Sequence, residues 1–361
     1  MSMITDPKTI RDRIRGSLVA GAAGDALGYA VEFTGEAAIF CRYGPGGIRA
    51  LELDRKAGCA VLSDDTQMTL FTAAGILDRA AGGGLRRSVA NAYQMWLLTQ
   101  EGNYAEYGAA SFAGRTPWLD RLLRLRALHV PRAPGNTCLS ALGIRRADGV
   151  PEDLDFIGHP VIRSKGCGGI MRTAPAAWIP GLTVEEITEE AAQYAAVTHS
   201  HPGGWLPSAA GAEIVYRMTF TEEPLAEISK RAILTLRQRY GTVPETEEFC
   251  AMLERAVSLA KNDETDLDNV HALGEGWVGD EALAIALYCA LRHENDLSAC
   301  LISAVNHKGD SDSTGAIAGN ILGARIGYAA MDQKWKADLE LRDEILSLAD
   351  ALAEDWLTHV Q

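Results

Sequence analysis

The chain has 361 residues, 47% of them hydrophobic and 23% charged, the balance of a globular protein with a sizeable core, which excludes a disordered chain. A formal net charge of −14 offers no basic stripe to neutralise phosphates, which argues against a nucleic-acid polymer as main partner; a small anionic ligand, met by metal ions or backbone N–H groups, stays open. Seven cysteines without a C-x-x-C pair, an N-terminus without a signal profile and no apolar run of membrane-spanning length lead us to expect reduced thiols and a cytoplasmic protein with no membrane partner.

Aromatic residues are only 7% of the chain while Ala and Gly are abundant, so closely packed helices are expected in place of a sheet. In chain order, Ile10, Ile14, Leu18, Gly21, Ala22 and Asp25 fall on one helical face, which turns the Asp25 carboxylate inward and demands hydrogen bonds for it. Glu32 follows the glycine-marked end of that helix, in a segment that could move, a place suited to a general base or lid residue. Helical periodicity returns over 85–98 and 119–128. Thr183-x-x-Glu186 reads as a capping box opening a helix to about Val197. Residues 224–239, 247–260, 281–291 and 342–356 complete the predicted helices. The Gly/Pro-rich stretches 43–47, 131–136 and 201–207 read as loops, the acidic stretch 262–268 as a solvated surface loop, and His201 as a cap or turn residue at a helix end. Repeats and linkers are absent, so one all-α domain over residues 1–361 is expected.

Four segments carry candidate chemistry. Ser63-Asp64-Asp65 precedes a helical pattern; an N-cap accounts for one acidic residue but not for the second, since adjacent carboxylates repel unless a cation or a set of donors lies between them. Asp310-Ser311-Asp312-Ser313 can converge on an ion from a loop, and the glycines at 315, 319, 323 and 327 that follow let another helix approach closely and so hold that loop in place. Oxygen donors of this kind suit Mg²⁺ or Mn²⁺. An EF-hand is excluded by the missing loop glycine and twelfth-position glutamate, and a zinc site by the lack of any cysteine at zinc spacing from His199-Ser200-His201. Gly24 to Phe33 carries Asp25 and Glu32. Ser164 to Arg172 is a glycine-rich turn whose N–H groups could cradle a diphosphate, although neither dinucleotide nor P-loop spacing is present.

In this order the segments 21–33, 62–69, 164–175, 198–202 and 309–319, with 273–284, resemble the ADP-ribosylglycohydrolase family across about residues 10–330, a C-terminal helix over 342–357 following. The resemblance implies an all-helical fold with a cleft holding two Mg²⁺ (or Mn²⁺) ions, and a hydrolase releasing ADP-ribose from an ADP-ribosylated protein or small molecule. It implies Ser63, Asp64, Asp65, Asp310, Asp312 and Ser313 as metal ligands, Glu32 and Asp312 as catalytic carboxylates, Gly166, Gly168 and Gly169 around the diphosphate, and His199 near the ribose. Ser63 and Ser313 replace the common threonine but keep the hydroxyl, whereas Lys165 and Cys167 depart from an asparagine-rich pattern. Three functions follow: a hydrolase of protein ADP-ribosylarginine, a hydrolase of O-linked (serine or O-acetyl) ADP-ribose, or a silent ADP-ribose binder, against which the intact ligand residues speak. Acceptor selectivity is expected in residues 101–115 and 132–137, and a monomer is expected.

Overall fold

A computed structural model describes residues 3–102 and 116–360. It is built of helices, with no strand among the described residues and two isolated bridges, Ala60 with Leu339 and Gly166 with Val278. In chain order the α-helices are α1 (Pro7–Tyr29), α2 (Glu36–Tyr43), α3 (Asp64–Leu77), α4 (Leu85–Glu101), α5 (Pro117–Leu123), α6 (Asn136–Asp148), α7 (Val184–Ala196), α8 (Pro202–Phe220), α9 (Leu225–Tyr240), α10 (Thr246–Leu259), α11 (Asp266–Leu273), α12 (Gly279–Arg292), α13 (Leu297–Val305), α14 (Ser311–Ile326) and α15 (Arg342–Val360). One apolar cluster runs through them from Ile10 to Leu357. No helix among the described residues is long and apolar enough to cross a membrane.

The partner that the glycine stripe of α14 admits is α1. A Cβ on Gly24 would strike the carbonyl of Gly315, one on Gly319 the carbonyl of Ala20, and one on Gly323 the carbonyl of Gly16. The pairing runs in opposite directions along the two helices, so α1 and α14 lie antiparallel at backbone contact. The C-terminal end of α1 therefore meets the N-terminal end of α14, which is where the acidic segments are. α1 also sets α3: the Asp25 carboxylate, fully buried, accepts from the N–H of Ser63 at 3.0 Å, the N–H of Thr66 at 3.1 Å and the Thr66 hydroxyl. One helix thus fixes the starts of two others.

Several local expectations need correction. The segment 201–207 is not a loop: His201 is the N-cap of α8, its Nδ1 accepting from the N–H of Gly203 at 3.0 Å, and Pro202 opens the helix, where a missing N–H costs nothing. Pro207, inside α8, leaves the carbonyl of Gly203 free, and the helix packs there so closely that a Cβ on Gly279 would stand 2.8 Å from that oxygen. Glycine and proline were read as breakers where they serve close packing. The last three residues of the acidic stretch 262–268 are also helical. Thr265 accepts from the N–H of Asp268 to cap α11, and Asp266 is bonded by the Tyr288 hydroxyl at 2.7 Å and His293 Nε2 at 2.8 Å. The helix expected over 119–128 is α5 and a 3-10 turn, Arg126–His129. Helices α2, α6 and α13 lie outside the helices predicted from the sequence.

Candidate metal and ligand cleft

The carboxylates come together because three helix ends meet. Ser63 caps α3, its hydroxyl accepting from the N–H of Asp65 at 3.2 Å, and Asp64 and Asp65 occupy the first turn. Asp310 caps α14, accepting from the N–H of Ser313 at 3.2 Å, with Asp312 in the first turn. The chain leaving α1 delivers Glu32 beside them: Glu32, Asp310 and Asp312 each place an oxygen within 4.8 Å of the other two. All five acids are buried, and Glu32 Oε2 and Asp65 Oδ2 find no hydrogen-bond partner. The two N-termini supply partial positive charge, far less than five carboxylates need. Burial, and next the Asp312 charge, push Asp64, Asp65 and Asp310 well above the usual carboxylate range. The same causes raise Glu32 to about 10 and Asp25 to about 7. Such a cluster is short of cations. Two orphaned oxygens in an all-oxygen carboxylate set fit a hard divalent ion.

The facing wall is built from the glycine turn, His199 and the segment entering α6. Together they enclose a cleft of about 520 Å³ lined by Glu32, Asp64, Asp65, Asp310, Asp312 and Ser313 on one side and by residues 133–138, Gly166, Cys167, Gly168 and His199 on the other. None of the loop glycines has positive φ. They are small because of what lies against them: a Cβ on Gly168 would stand 2.8 Å from His199 Cε1, one on Gly166 3.3 Å from His199 Nε2, and one on Gly169 would strike the Gly204 carbonyl. Burial, and then the nearby Arg172 charge, lower His199 to about 3, so its imidazole is neutral. Cys167 Sγ lies 2.6 Å from Asp310 Oδ2, and burial pushes that thiol well above its usual range, so it stands as a donor to the carboxylate. A soft donor within an oxygen cluster marks this chain's own version of the site.

Of the residues singled out in the sequence, nine line the cleft: Glu32, Asp64, Asp65, Gly166, Gly168, His199, Asp310, Asp312 and Ser313. Ser63 and Gly169 do not; the first is buried at the cap of α3 and the second packs on α8. Residues 133–137 line the cleft as well, tied to it by the N–H of Gly135, which donates to Asp64 Oδ2 at 3.2 Å. Residues 103–115 of the other expected selectivity segment lie outside the described residues. Sequence reasoning gave no role to Phe33 and Trp277. They are 74% and 41% exposed, stack at 6.3 Å and 25°, and stand at the mouth of the cleft. An aromatic placed beside a glutamate in two non-helical segments, Glu32-Phe33 and Gly274-Glu275-Gly276-Trp277, was the available signal.

The fold has relatives. The chain is 24% identical over 360 residues to ADP-ribosyl-[dinitrogen reductase] glycohydrolase of Rhodospirillum rubrum, an alignment covering 95% of this chain and 96% of the relative. A solved structure described as an ADP-ribosylglycohydrolase-related protein complex superposes with a TM-score of 0.65 at 22% identity, covering 96% of this chain and 99% of that one, and it bears out the all-α fold. The profile of the ADP-ribosylglycohydrolase family matches residues 6–360, and the chain belongs to that family.

Proposed function

We propose that this protein is a metal-dependent hydrolase that cleaves the glycosidic bond between ADP-ribose and an acceptor, with protein ADP-ribosylarginine as its substrate. The observation that carries the reading is the convergence of five buried carboxylates, two of them with orphaned oxygens, at one wall of a cleft large enough for a nucleotide sugar, in a chain of this family. Asp64, Asp65, Asp310, Asp312 and Ser313, with Ser63 behind them, would hold two Mg²⁺ or Mn²⁺ ions. Bound there, the ions supply Lewis acidity and neutralise the carboxylate charge.

The chain's own groups do the rest. Glu32 Oε2 is unpartnered; burial, and next Asp312, push its carboxyl up, so it keeps a proton until cations offset that charge, and once ionised it can take a proton from an attacking water. Water oxygen adds to the anomeric carbon, the bond to the acceptor breaks with its electron pair, and the proton that Glu32 took from the water passes to the leaving acceptor. Asp312 orients the water, and the surrounding negative charge favours an oxocarbenium-like transition state. In the Gly166–Gly168 turn the Gly166 N–H donates to Ser164 Oγ at 3.1 Å and the Cys167 N–H to the Trp277 carbonyl at 3.2 Å, which leaves the Gly168 N–H for the diphosphate. At the mouth, the stacked Phe33 and Trp277 suit the planar cation of an arginine acceptor.

The test is ADP-ribose release from ADP-ribosylarginine and ADP-ribosylserine peptides with Mg²⁺ and with chelator. Release from the arginine peptide that needs Mg²⁺ supports the reading. Release from the serine peptide alone moves the acceptor to the O-linked class, and tight ADP-ribose binding with no release from either peptide would leave a silent binder.

A further inference from the structure

Beneath the glycine-turn wall lies a charge that the proposed reaction does not use. The Arg172 guanidinium is fully buried and has no carboxylate partner among the described residues. It is held by the Tyr93 ring at 4.4 Å, by Cys138 Sγ at 3.3 Å, by the Tyr194 carbonyl at 3.3 Å and by the Thr198 hydroxyl at 2.6 Å, and its Nε has no partner. A buried cation without a counter-ion is costly, and its strongest contact is with one hydroxyl. That hydroxyl lies 2.8 Å from His199 Nδ1.

The geometry limits where the protons can be. Arg172 has no acceptor, so it must donate to Thr198 Oγ1 and occupy one of its lone pairs. The hydroxyl proton then has three places to go: His199 Nδ1 at 2.8 Å, the Ala195 carbonyl at 3.4 Å, or the neighbouring Cys138 thiol, a weak acceptor. Putting a proton on His199 Nδ1 instead would aim two N–H donors, one of them on a cation, at the same oxygen and would leave the hydroxyl its long contact. The arrangement in which the hydroxyl donates to Nδ1 satisfies every short contact. The imidazole, neutral in this setting, then carries its proton on Nε2. That nitrogen has no hydrogen-bond partner among the described residues and lies against Gly166 and Gly168, on the cleft side.

We propose that Arg172 and Thr198 are positioning residues that lock His199 in the Nε2–H tautomer, so that the glycine-turn wall presents a neutral hydrogen-bond donor to a phosphate or ribose oxygen of the ligand. The relay faces the carboxylate wall across the cleft. A neutral donor there can approach an oxygen without competing with the metal ions for the carboxylates, as a cation would. Only the ligand's identity rests on the ADP-ribose reading; the tautomer does not.

The experiment is long-range ¹H–¹⁵N correlation of histidine-labelled protein, with calorimetric titration of ADP-ribose into wild type, Thr198→Val and Thr198→Ser. Wild-type His199 should show a protonated Nε2 and a bare Nδ1 near neutral pH. Thr198→Val, similar in shape but without the hydroxyl, should shift that pattern towards Nδ1–H. It should also weaken ADP-ribose binding roughly 3- to 10-fold, the worth of one misdirected hydrogen bond, and lower the unfolding temperature, because the buried Arg172 loses its shortest contact. Thr198→Ser, which returns the hydroxyl, should restore the pattern, the affinity and the unfolding temperature. A wild-type Nδ1–H pattern overturns the proposal, and so does a Thr198→Val protein with unchanged tautomer and affinity. A loss of affinity that follows a lowered unfolding temperature and is not rescued by serine also overturns it. If wild type shows Nε2–H, lost in Thr198→Val, yet never binds ADP-ribose, the relay stands and the functional reading fails.

Discussion

The two walls of the cleft are made on opposite principles. The wall formed by α1, α3 and α14 crowds like charges, with five buried carboxylates at the meeting of three helix ends and two oxygens left without a partner. On the facing wall, the cleft-lining residues of the glycine turn, the start of α6 and His199 include no carboxylate, lysine or arginine, and the Arg172 cation is buried underneath. One wall is built to be completed by something positive, the other to touch something negative or hydroxylic. A site for a diphosphate sugar held on metal ions needs both.

Substitutions can break this contrast, and the largest effect belongs to the carboxylate wall. Asp312→Ala should lower ADP-ribose release by a factor of about 10² to 10⁴ with helix content unchanged by circular dichroism; near-wild-type turnover would remove Asp312 from the chemistry. Next comes the support of that wall. Gly24→Val forces a side chain into the Gly315 backbone and should cost about 3 kcal/mol or more in urea unfolding. A loss below about 0.5 kcal/mol, the range of an ordinary surface substitution, would mean that the α1–α14 contact is looser than described.

The glycine-turn wall should answer differently. In Gly168→Ala the new methyl meets His199 Cε1 at 2.8 Å and Cys138 Sγ at 3.0 Å, side-chain atoms able to give way, so stability should fall by only about 1 kcal/mol. The shift displaces His199, and KM for the ADP-ribosylated substrate should rise about 3- to 10-fold with kcat less affected. The smallest effect is expected at Asp266, which belongs to neither wall. Against the upward push of burial, hydrogen bonds from His293 and Tyr288 hold its carboxyl down at about 2, with Arg292 3.8 Å away. A depressed folded value means stability present above the unfolded value of about 4 and lost as pH falls towards 2. Asp266→Asn should thus cost on the order of 1 kcal/mol near neutral pH, after allowance for partial exposure, and nothing at the acid end of that range. Equal losses at both ends would assign the effect to packing.

The same contrast explains what could be read from the amino acids alone. The carboxylate wall was legible because its groups are contiguous: Ser63-Asp64-Asp65 and Asp310-Ser311-Asp312-Ser313 each carry several ligand-type residues in a row, and the spacing of Gly315, Gly319 and Gly323 announced a close helix partner. Which helix that was could not be read, because the reciprocal glycines on α1 lie about 300 residues away in sequence. The other wall depends on long-range coincidences. Gly168 matters because His199 packs on it, and His199 matters through a proton set by Thr198 and Arg172, none of which has a periodic signature. Helix α8 was missed for a related reason: Pro202, Gly203, Gly204 and Pro207 are breakers by local propensity, and only the packing of Gly169, Gly204 and Gly279 shows why the helix wants them. Phe33 and Trp277 were unassigned because two exposed aromatics gain meaning only when stacked at one opening.

The central claim is that the five carboxylates form a metal centre. Titration of Mn²⁺ into chelator-stripped protein, read by the loss of the free-ion electron paramagnetic resonance signal, tests it most directly. The account predicts two ions taken up per chain by wild type, with uptake lost in an Asp65→Asn, Asp310→Asn double variant that keeps its helix content. A wild-type protein that leaves all the added Mn²⁺ free would contradict it.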